Sequence, residues 1–375
     1  MTCITCMLMF DLQSDRSFPE SNCVTGEPGF MSPLDKVLDQ HTKVVEAGFI
    51  STGDLRYKTY AISTLRGGVG KSTLAFNLAY EMAMKRSILI ADLCAQCNLT
   101  EAIMRGVEHD VTILEALQPK LLGPAFGEIP SDISYRVSAT CDSFKTSRAS
   151  FIVPGNALMF AFPSTLYQQL QIANAQGNPG AVLRLLESLK SVLEAEAASK
   201  GTQGVLMDTS PFYAGGTHLA WCAADAIIIP VRVDEHSIDS LELTLDLLSN
   251  PKRDFVIWNE RAGGRKPPKV AAVVMTMVGS KSRLRATPDS ASRMYIERAI
   301  NVAERYSSLF DRPDPTDAFV ITDDFVSSGR ISGAKGIPIA KLKVGSFHMV
   351  DRKRLQVNSS ASRYQRELAY LASVI

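Results

Sequence analysis

The segment that most constrains the fold of this chain is a glycine-rich turn placed between an apolar stretch and an amphipathic one. The turn occupies Arg66–Thr73, where glycines are followed by a lysine and two hydroxyl side chains. Thr59–Thr64 before it has the composition of a buried strand, and Thr73–Lys85 after it has the spacing of a helix. A strand that enters a helix through so tight a turn favours an α/β fold, in which helices cover a sheet.

Further short apolar runs alternate with amphipathic stretches along the chain. We predict strands at Ser87–Asp92, Gly204–Asp208, Asp225–Val231 and Val270–Met277. We predict helices at Leu34–Ala47, Val182–Ala198, Ile238–Leu248, Ser290–Ser307 and Ser362–Ser373. Strands this apolar indicate a sheet that is buried on both faces. The predicted fold is therefore α/β, with a mainly parallel, doubly wound sheet of about seven or eight strands.

The composition differs between an N-terminal segment and the rest of the chain, and the net charge bears on nucleic-acid binding. Residues 1–56 contain Ser, Asp, Pro and Gly clusters around one helix candidate, so we expect a partly disordered extension followed by a single domain over residues 57–375. The formal net charge of +1 gives no global attraction to nucleic acid, which would require a local basic patch. We expect neither a transmembrane helix nor a signal peptide, and the scattered cysteines favour a reducing cytoplasm.

The glycine-rich turn has the composition of a phosphate-binding loop (P-loop). Glycines let successive backbone N–H groups converge on phosphate oxygens, and the helix N-terminus that follows favours negative charge. Lys71 is placed to reach the β- and γ-phosphates, and the Ser72 hydroxyl is placed to bind Mg²⁺. The predicted nucleotide-binding residues are Arg66, Gly67, Gly68, Val69, Gly70, Lys71, Ser72 and Thr73.

The turn departs from the general P-loop pattern in a specific way. The first glycine of that pattern would fall at Leu65, and a Gly67-Gly68 pair preceded by Arg66 stands in its place. This resembles the deviant Walker A motif of the ParA/MinD family of P-loop ATPases, in which a lysine occupies the Arg66 position. The resemblance implies ATP and Mg²⁺ as cofactors and a homodimer with ATP at its interface, where Arg66 reaches the partner's nucleotide.

Later segments resemble the same family in the same order, over roughly residues 58–375. Asp92–Thr100 is similar to its D-x-D-P-Q-G-N-x-T segment, and Val205–Pro211 is similar to its Walker B strand. Asp92 and Asp208 each end a predicted strand. The resemblance implies that both carboxylates, with Ser72, hold the magnesium; the alternative for each is a strand-end Asp that caps the next turn.

Cys94 stands where the family has the aspartate that orients or activates the attacking water. A thiol is neutral unless its pKa is lowered, so it is a poor replacement. We therefore expect Lys71 and Arg66 to act at a catalytic site in which Cys94 is degenerate. The expected activity is weak ATP hydrolysis, or hydrolysis that relies on a stimulatory partner protein.

The partners are less constrained. Family members often bind DNA non-specifically through basic residues of the C-terminal half, which implies a DNA-binding role for Lys281, Arg283 and Arg285; the alternative is a solvated charged loop. A membrane role for Ser362–Ile375 is not expected, because this segment resembles the family's last packed helix.

Three functions remain open from the sequence. The first is a partitioning or positioning ATPase that acts as a dimeric switch. The second is an ATP-bound scaffold with little turnover. The third is an Fe–S carrier, suggested by the Cys94/Cys97 and Cys3/Cys6 pairs, for which small loop residues or a redox pair are the alternatives.

Overall fold

The structure is a computed structural model that describes residues 31–49, 55–279 and 287–375. The chain separates into two units, Met1–Ser32 and Pro33–Ile375. All of the secondary structure given below lies in the second unit. The domain boundary expected near residue 57 stays a prediction, although the second unit already includes the helix that precedes it.

A mainly parallel eight-stranded sheet forms the centre of this unit, which confirms the predicted fold class. The strands follow the order β3-β4-β2-β5-β1-β6-β7-β8, with only β3 antiparallel to its neighbour. They are β1 Thr59–Ile62, β2 Ile88–Asp92, β3 Tyr135–Arg136, β4 Ser150–Val153, β5 Gly204–Asp208, β6 Ala226–Arg232, β7 Lys269–Val278 and β8 Phe319–Asp323. A separate antiparallel hairpin consists of β9 Phe347–Val350 and β10 Lys353–Gln356.

Helices cover both faces of the sheet, which is why its strands are apolar on both sides. The described helices are α1 Pro33–Ala47, α2 Lys71–Ala83, α3 Asn98–Met104, α4 Ile113–Leu122, α5 Val137–Thr140, α6 Phe162–Ala175, α7 Pro179–Leu186, α8 Ser188–Lys200, α9 Gly215–Ala223, α10 Glu235–Ser249, α11 Asp254–Arg261, α12 Ser290–Arg305, α13 Val326–Lys335 and α14 Ala361–Val374.

A hydrophobic core lies on each face of the sheet, and the side chains of strand β2 contribute to both. Leu89 and Ala91 enter one core, with α1, α4 and α6 to α12. Ile88 and Ile90 enter the other core, with α2, α3, α5, α13 and α14. The alternation of neighbouring side chains between the faces is the two-residue period of a strand.

Strand β1 lies at the centre of the sheet, between β5 and β6. β2 lies on the far side of β5, and its last residue Asp92 is in register with Asp208, the last residue of β5. Because these strands are parallel, their carboxyl ends meet at one edge, where ligands bind in open α/β sheets.

The predicted helix over Val182–Ala198 is wrong as a single element. The structure has two helices there, α7 and α8, separated at Glu187 with backbone angles φ −92° and ψ 2°. The halves pack on different neighbours, α7 on α6 and α11 and α8 on α4 and α9. A break lets each half turn its apolar side towards its own partners.

The structure bears differently on three further predictions: the first helix, the basic residues and a membrane-spanning helix. The helix predicted at Leu34–Ala47 is present as α1 and packs on α12 and α14. Lys281, Arg283 and Arg285 lie outside the described residues. Within the described ranges, no helix is long and apolar enough to cross a membrane.

Candidate nucleotide-binding site

The P-loop connects β1 to α2 at the carboxyl edge of the sheet. Gly68 and Gly70 have φ of 74° and 83°, which side chains other than glycine rarely adopt. A Cβ atom added at Gly67, Gly68 or Gly70 would meet no atom of the described residues within 4 Å, so this part of the structure leaves the loop open. The Thr276 hydroxyl donates a hydrogen bond to the Val69 carbonyl at 3.1 Å and ties the loop to β7.

Two cavities adjoin the loop. The first, here called the loop cavity, has a volume of about 410 Å³. It is lined by Arg66, Gly67, Gly68, Gly70, Lys71, Ser72, Thr73, Phe76, Cys94, Gln96, Asn98, Glu101, Ala102, Pro211 and Gly333. The second, here called the side cavity, has about 510 Å³ and lies at the ends of β7 and β8. Gly70, Thr73 and Gly333 line both, so the two cavities are contiguous.

The side cavity is bordered by unusual backbone. Met277 and Val326 both line it and have positive φ of 57° and 42°. Such conformations are strained for residues with a Cβ atom, and strain of this kind is concentrated at binding sites. The short strand β8 ends here, at Asp323.

Lys71 is buried and points towards the end of β5. Its Nζ atom lies 3.4 Å from Asp208 Oδ1 and donates to the Thr209 carbonyl oxygen. Asp208 is fully buried, and its Oδ2 atom has no hydrogen-bond partner among the residues that the structure describes. The end of β5 therefore offers an unsatisfied carboxylate oxygen next to the loop.

Asp92 has different surroundings. Its Oδ1 accepts a hydrogen bond from the Cys94 N–H at 3.0 Å, and its Oδ2 accepts from the Thr100 N–H and hydroxyl at 2.9 and 2.8 Å. Burial and the nearby Asp208 raise the pKa of Asp92 to about 6. Through these contacts Asp92 ties together the turn after β2 and the first turn of α3, where Thr100 lies.

Cys94 and Cys97 lie in the turn between β2 and α3. The Cys97 N–H donates to the Cys94 carbonyl at 2.9 Å, and Cys97 has φ of 53° where the family motif has glycine. Burial raises the pKa of Cys94 and raises that of Cys97 to about 11, so both are thiols at neutral pH. Among the residues that the structure describes, no cluster of metal-binding side chains is present.

Arg66 is held by its own chain. Its Nη2 atom lies 3.7 Å from Asp234 Oδ2, which also lies 3.4 Å from Arg232 Nε. The same Asp234 caps α10 by accepting a hydrogen bond from the Ser237 N–H at 2.9 Å. About a third of the Arg66 side chain is exposed, so the guanidinium borders the loop cavity and solvent.

Aromatic residues support the root of the loop. The indole N–H of Trp221 donates to the Ser63 hydroxyl at 2.8 Å, one residue beyond β1. Trp221 packs against Tyr213 and Phe255, with ring centroids 5.2 and 5.6 Å away. An aromatic cluster that includes Trp221 of α9 thus contacts the position from which the loop departs.

The structure brings most of the sequence-predicted site residues to one place. The P-loop residues, Cys94, Asp92 and Asp208 all lie at the carboxyl ends of β1, β2 and β5. Glu101 and Thr276 were not predicted as site residues. The sequence signal for Glu101 was its place one residue after Thr100, but only the packing of α3 shows that it lines the loop cavity.

Comparison with known proteins agrees with the fold. An AAA domain family matches residues 57–255, more than half of the chain. A solved ATP complex of an McdA variant from Cyanothece is 18% identical, with a TM-score of 0.58 over 86% of this chain and 97% of that one. Protein DIP2308 from Corynebacterium diphtheriae is 15% identical, with a TM-score of 0.53 over 74% and 97%. No protein of curated function matches the chain in sequence.

Proposed function

Because this chain belongs to the AAA domain family that matches residues 57–255, with a fold of the ParA/MinD type, we propose that it is an ATP-dependent dimeric switch that partitions DNA or positions a cellular cargo in the cytoplasm. The observation that carries this proposal is the open glycine loop whose lysine is already directed at a buried carboxylate. The McdA variant of the same fold was solved with ATP, which supports ATP as the ligand.

The two contiguous cavities match the two halves of a nucleotide. The triphosphate lies in the loop cavity, against the backbone N–H groups and Lys71. The nucleoside then lies in the side cavity, which Thr73 and Gly333 join to the first. A volume of about 510 Å³ is within the range of small-molecule sites.

Ser72 and Asp208 are the residues that would hold magnesium. The unpartnered Oδ2 atom of Asp208 is the observation that fits a cation, because a buried carboxylate oxygen without a donor is costly. Bound magnesium would neutralise charge on the phosphates. Asp92 holds the turn to α3 in place, and its role as a magnesium ligand stays a prediction.

The dimer is proposed from the same edge of the sheet. Leu158 and Phe160 lie in the short turn after β4 and are 66% and 75% exposed, and Phe212 after β5 is 40% exposed. Exposed apolar side chains at one edge indicate an interaction surface. In the dimer, ATP draws Arg66 away from Asp234 towards the partner's phosphates, because arginine pairs well with phosphate oxygens.

DNA is the proposed partner, and the β9–β10 hairpin adds a candidate contact surface within the described residues. Arg352, Lys353 and Arg354 are exposed there, and Lys343 is exposed four residues before β9. Arg354 lies over the Phe347 ring at 3.9 Å from its centroid. Neutralising phosphates with such a patch predicts binding that falls steeply with salt.

Hydrolysis is proposed to be slow, since the thiol at position 94 is neutral. A stimulatory partner protein would raise it. The alternative function, an ATP-bound scaffold, differs from the switch in one property: its ATP-bound dimer does not hydrolyse ATP.

The test combines calorimetry with mass photometry. We expect Mg·ATP to bind and to convert monomer to dimer, while ADP binds without dimerisation. A chain that binds no nucleotide contradicts the whole proposal. Binding of ATP without any change in mass contradicts the dimeric switch and leaves a nucleotide-binding protein.

A further inference from the structure

The loop cavity contains one carboxylate that is unaccounted for. Of the described residues that line this cavity, only Glu101 carries an acidic side chain. It is exposed, and within the described parts of the chain its carboxylate makes no hydrogen bond and no ion pair. A free carboxylate beside a phosphate-binding loop repels phosphate, so it weakens ATP binding unless it accepts a proton donor there.

The backbone of Glu101 is held firmly relative to the strand ends. Its N–H donates to the Cys97 carbonyl at 2.8 Å. The preceding residue, Thr100, is bonded twice to Asp92 and accepts a hydrogen bond from the Gly155 N–H at 2.8 Å. Glu101 therefore lines the cavity from a backbone position that is tied through Thr100 to the end of β2.

Position 94 lines the same cavity but offers only a buried thiol. Phosphoryl transfer to water is assisted by a group that orients the water and takes its proton. The described residues of the cavity offer Glu101 as the one carboxylate for this step.

We propose that Glu101 is the catalytic carboxylate of ATP hydrolysis in this chain, in place of a carboxylate at Cys94. The water oxygen forms a bond to the γ-phosphorus while the bond from that phosphorus to the β–γ bridging oxygen breaks. The electron pair of the broken bond stays with ADP. The water proton passes to the Glu101 carboxylate and then to solvent. This inference rests on the proposed function.

The experiment compares four variants of the full chain: Glu101→Gln, Glu108→Gln, Cys94→Asp and the double change of Cys94→Asp with Glu101→Gln. Glu108 is exposed, carries the same charge four residues after α3 and does not line the cavity, so it is the matched control. Calorimetry gives the Kd for Mg·ATP, and a single-turnover assay gives the hydrolysis rate.

Glu101→Gln should lower the hydrolysis rate by about 10- to 100-fold. Its Kd for Mg·ATP should be unchanged or up to about tenfold tighter, because one negative charge near the phosphates is removed. Damage to the structure would weaken binding instead. Cys94→Asp should restore hydrolysis in the double variant, and Glu108→Gln should behave as the unsubstituted chain does.

Equal hydrolysis rates in the unsubstituted chain and Glu101→Gln would overturn the inference, as would an equal loss in Glu108→Gln. An unsubstituted chain that binds ATP but never hydrolyses it would also overturn the inference and would leave the switch intact as a scaffold. A chain that binds no ATP refutes the proposed function itself.

Discussion

Replacing the P-loop lysine should destabilise the nucleotide-free protein as well as remove ATP binding. In Lys71→Ala, Asp208 loses the only cation within 4 Å that the structure describes for it, while both groups are almost completely buried. Breaking a buried ion pair by removing one partner costs about 3–5 kcal/mol. Asp92 lies beside Asp208 and adds negative charge, and we take the lower bound of about 3 kcal/mol as the expected loss.

The assay is thermal and urea unfolding without nucleotide. A loss of about 3 kcal/mol should lower the melting temperature by roughly 4 °C in a chain of this size. Adding Asp208→Asn to Lys71→Ala should recover most of the loss, because the uncompensated charge disappears. Lys252→Ala, which removes an exposed lysine, is the control and should melt as the unsubstituted chain does. If Lys71→Ala also melts unchanged, the ion pair contributes nothing and this reasoning is refuted.

Three further outcomes are expected. Cys97→Gly should stabilise the fold by about 1 kcal/mol, since glycine adopts the left-handed backbone without strain, and a higher urea midpoint checks this. Arg66→Ala should abolish ATP-dependent dimerisation in mass photometry while Arg66→Lys keeps it; dimers of the alanine variant would contradict the role of the charge. Burial raises the pKa of Glu367 to about 8, so the protonated form stabilises the fold and this contribution is lost as pH rises from about 4.5 to 8. The stability of Glu367→Gln relative to the unsubstituted chain should therefore be greater at pH 8.5 than at pH 5.5. An equal difference in the free energy of unfolding at the two pH values would contradict this prediction.

The sequence predicted the centre of the sheet well, for a physical reason. Strands β1, β2, β5, β6 and β7 are almost wholly buried, so each appears as a short apolar run. The ends of β2 and β5 carry Asp92 and Asp208, and parallel pairing brings these two together without further information.

The edges of the structure were harder to predict. Strand β3 has only two residues, and β8 ends in polar residues that resemble a loop. The β9–β10 hairpin is exposed on much of its surface, so it lacks the alternating apolar pattern on which strand prediction depends. The break at Glu187 arises from packing against other helices, which the local pattern does not contain.

In the candidate site, too, some features follow from the local sequence and others depend on tertiary contacts. The glycine-rich turn and its lysine follow from local composition, and Arg66 was identified by its place before the glycine pair. The pairing of Arg66 with Asp234 joins residues that are far apart in sequence and required the structure. Glu101 lines the cavity only because α3 packs against α2, and this orientation depends on tertiary contacts.

The hydrogen bond between Trp221 and Ser63 provides this chain with an optical probe of its own. The sequence contains two tryptophans, and the other, Trp258, lies in α11 beside Arg261. In a Trp258→Phe variant, all fluorescence excited at wavelengths selective for indole would come from Trp221, which contacts Ser63, three residues before the P-loop. Nucleotide arrival could then be followed in real time by stopped flow, without attaching a dye to ATP or to the protein.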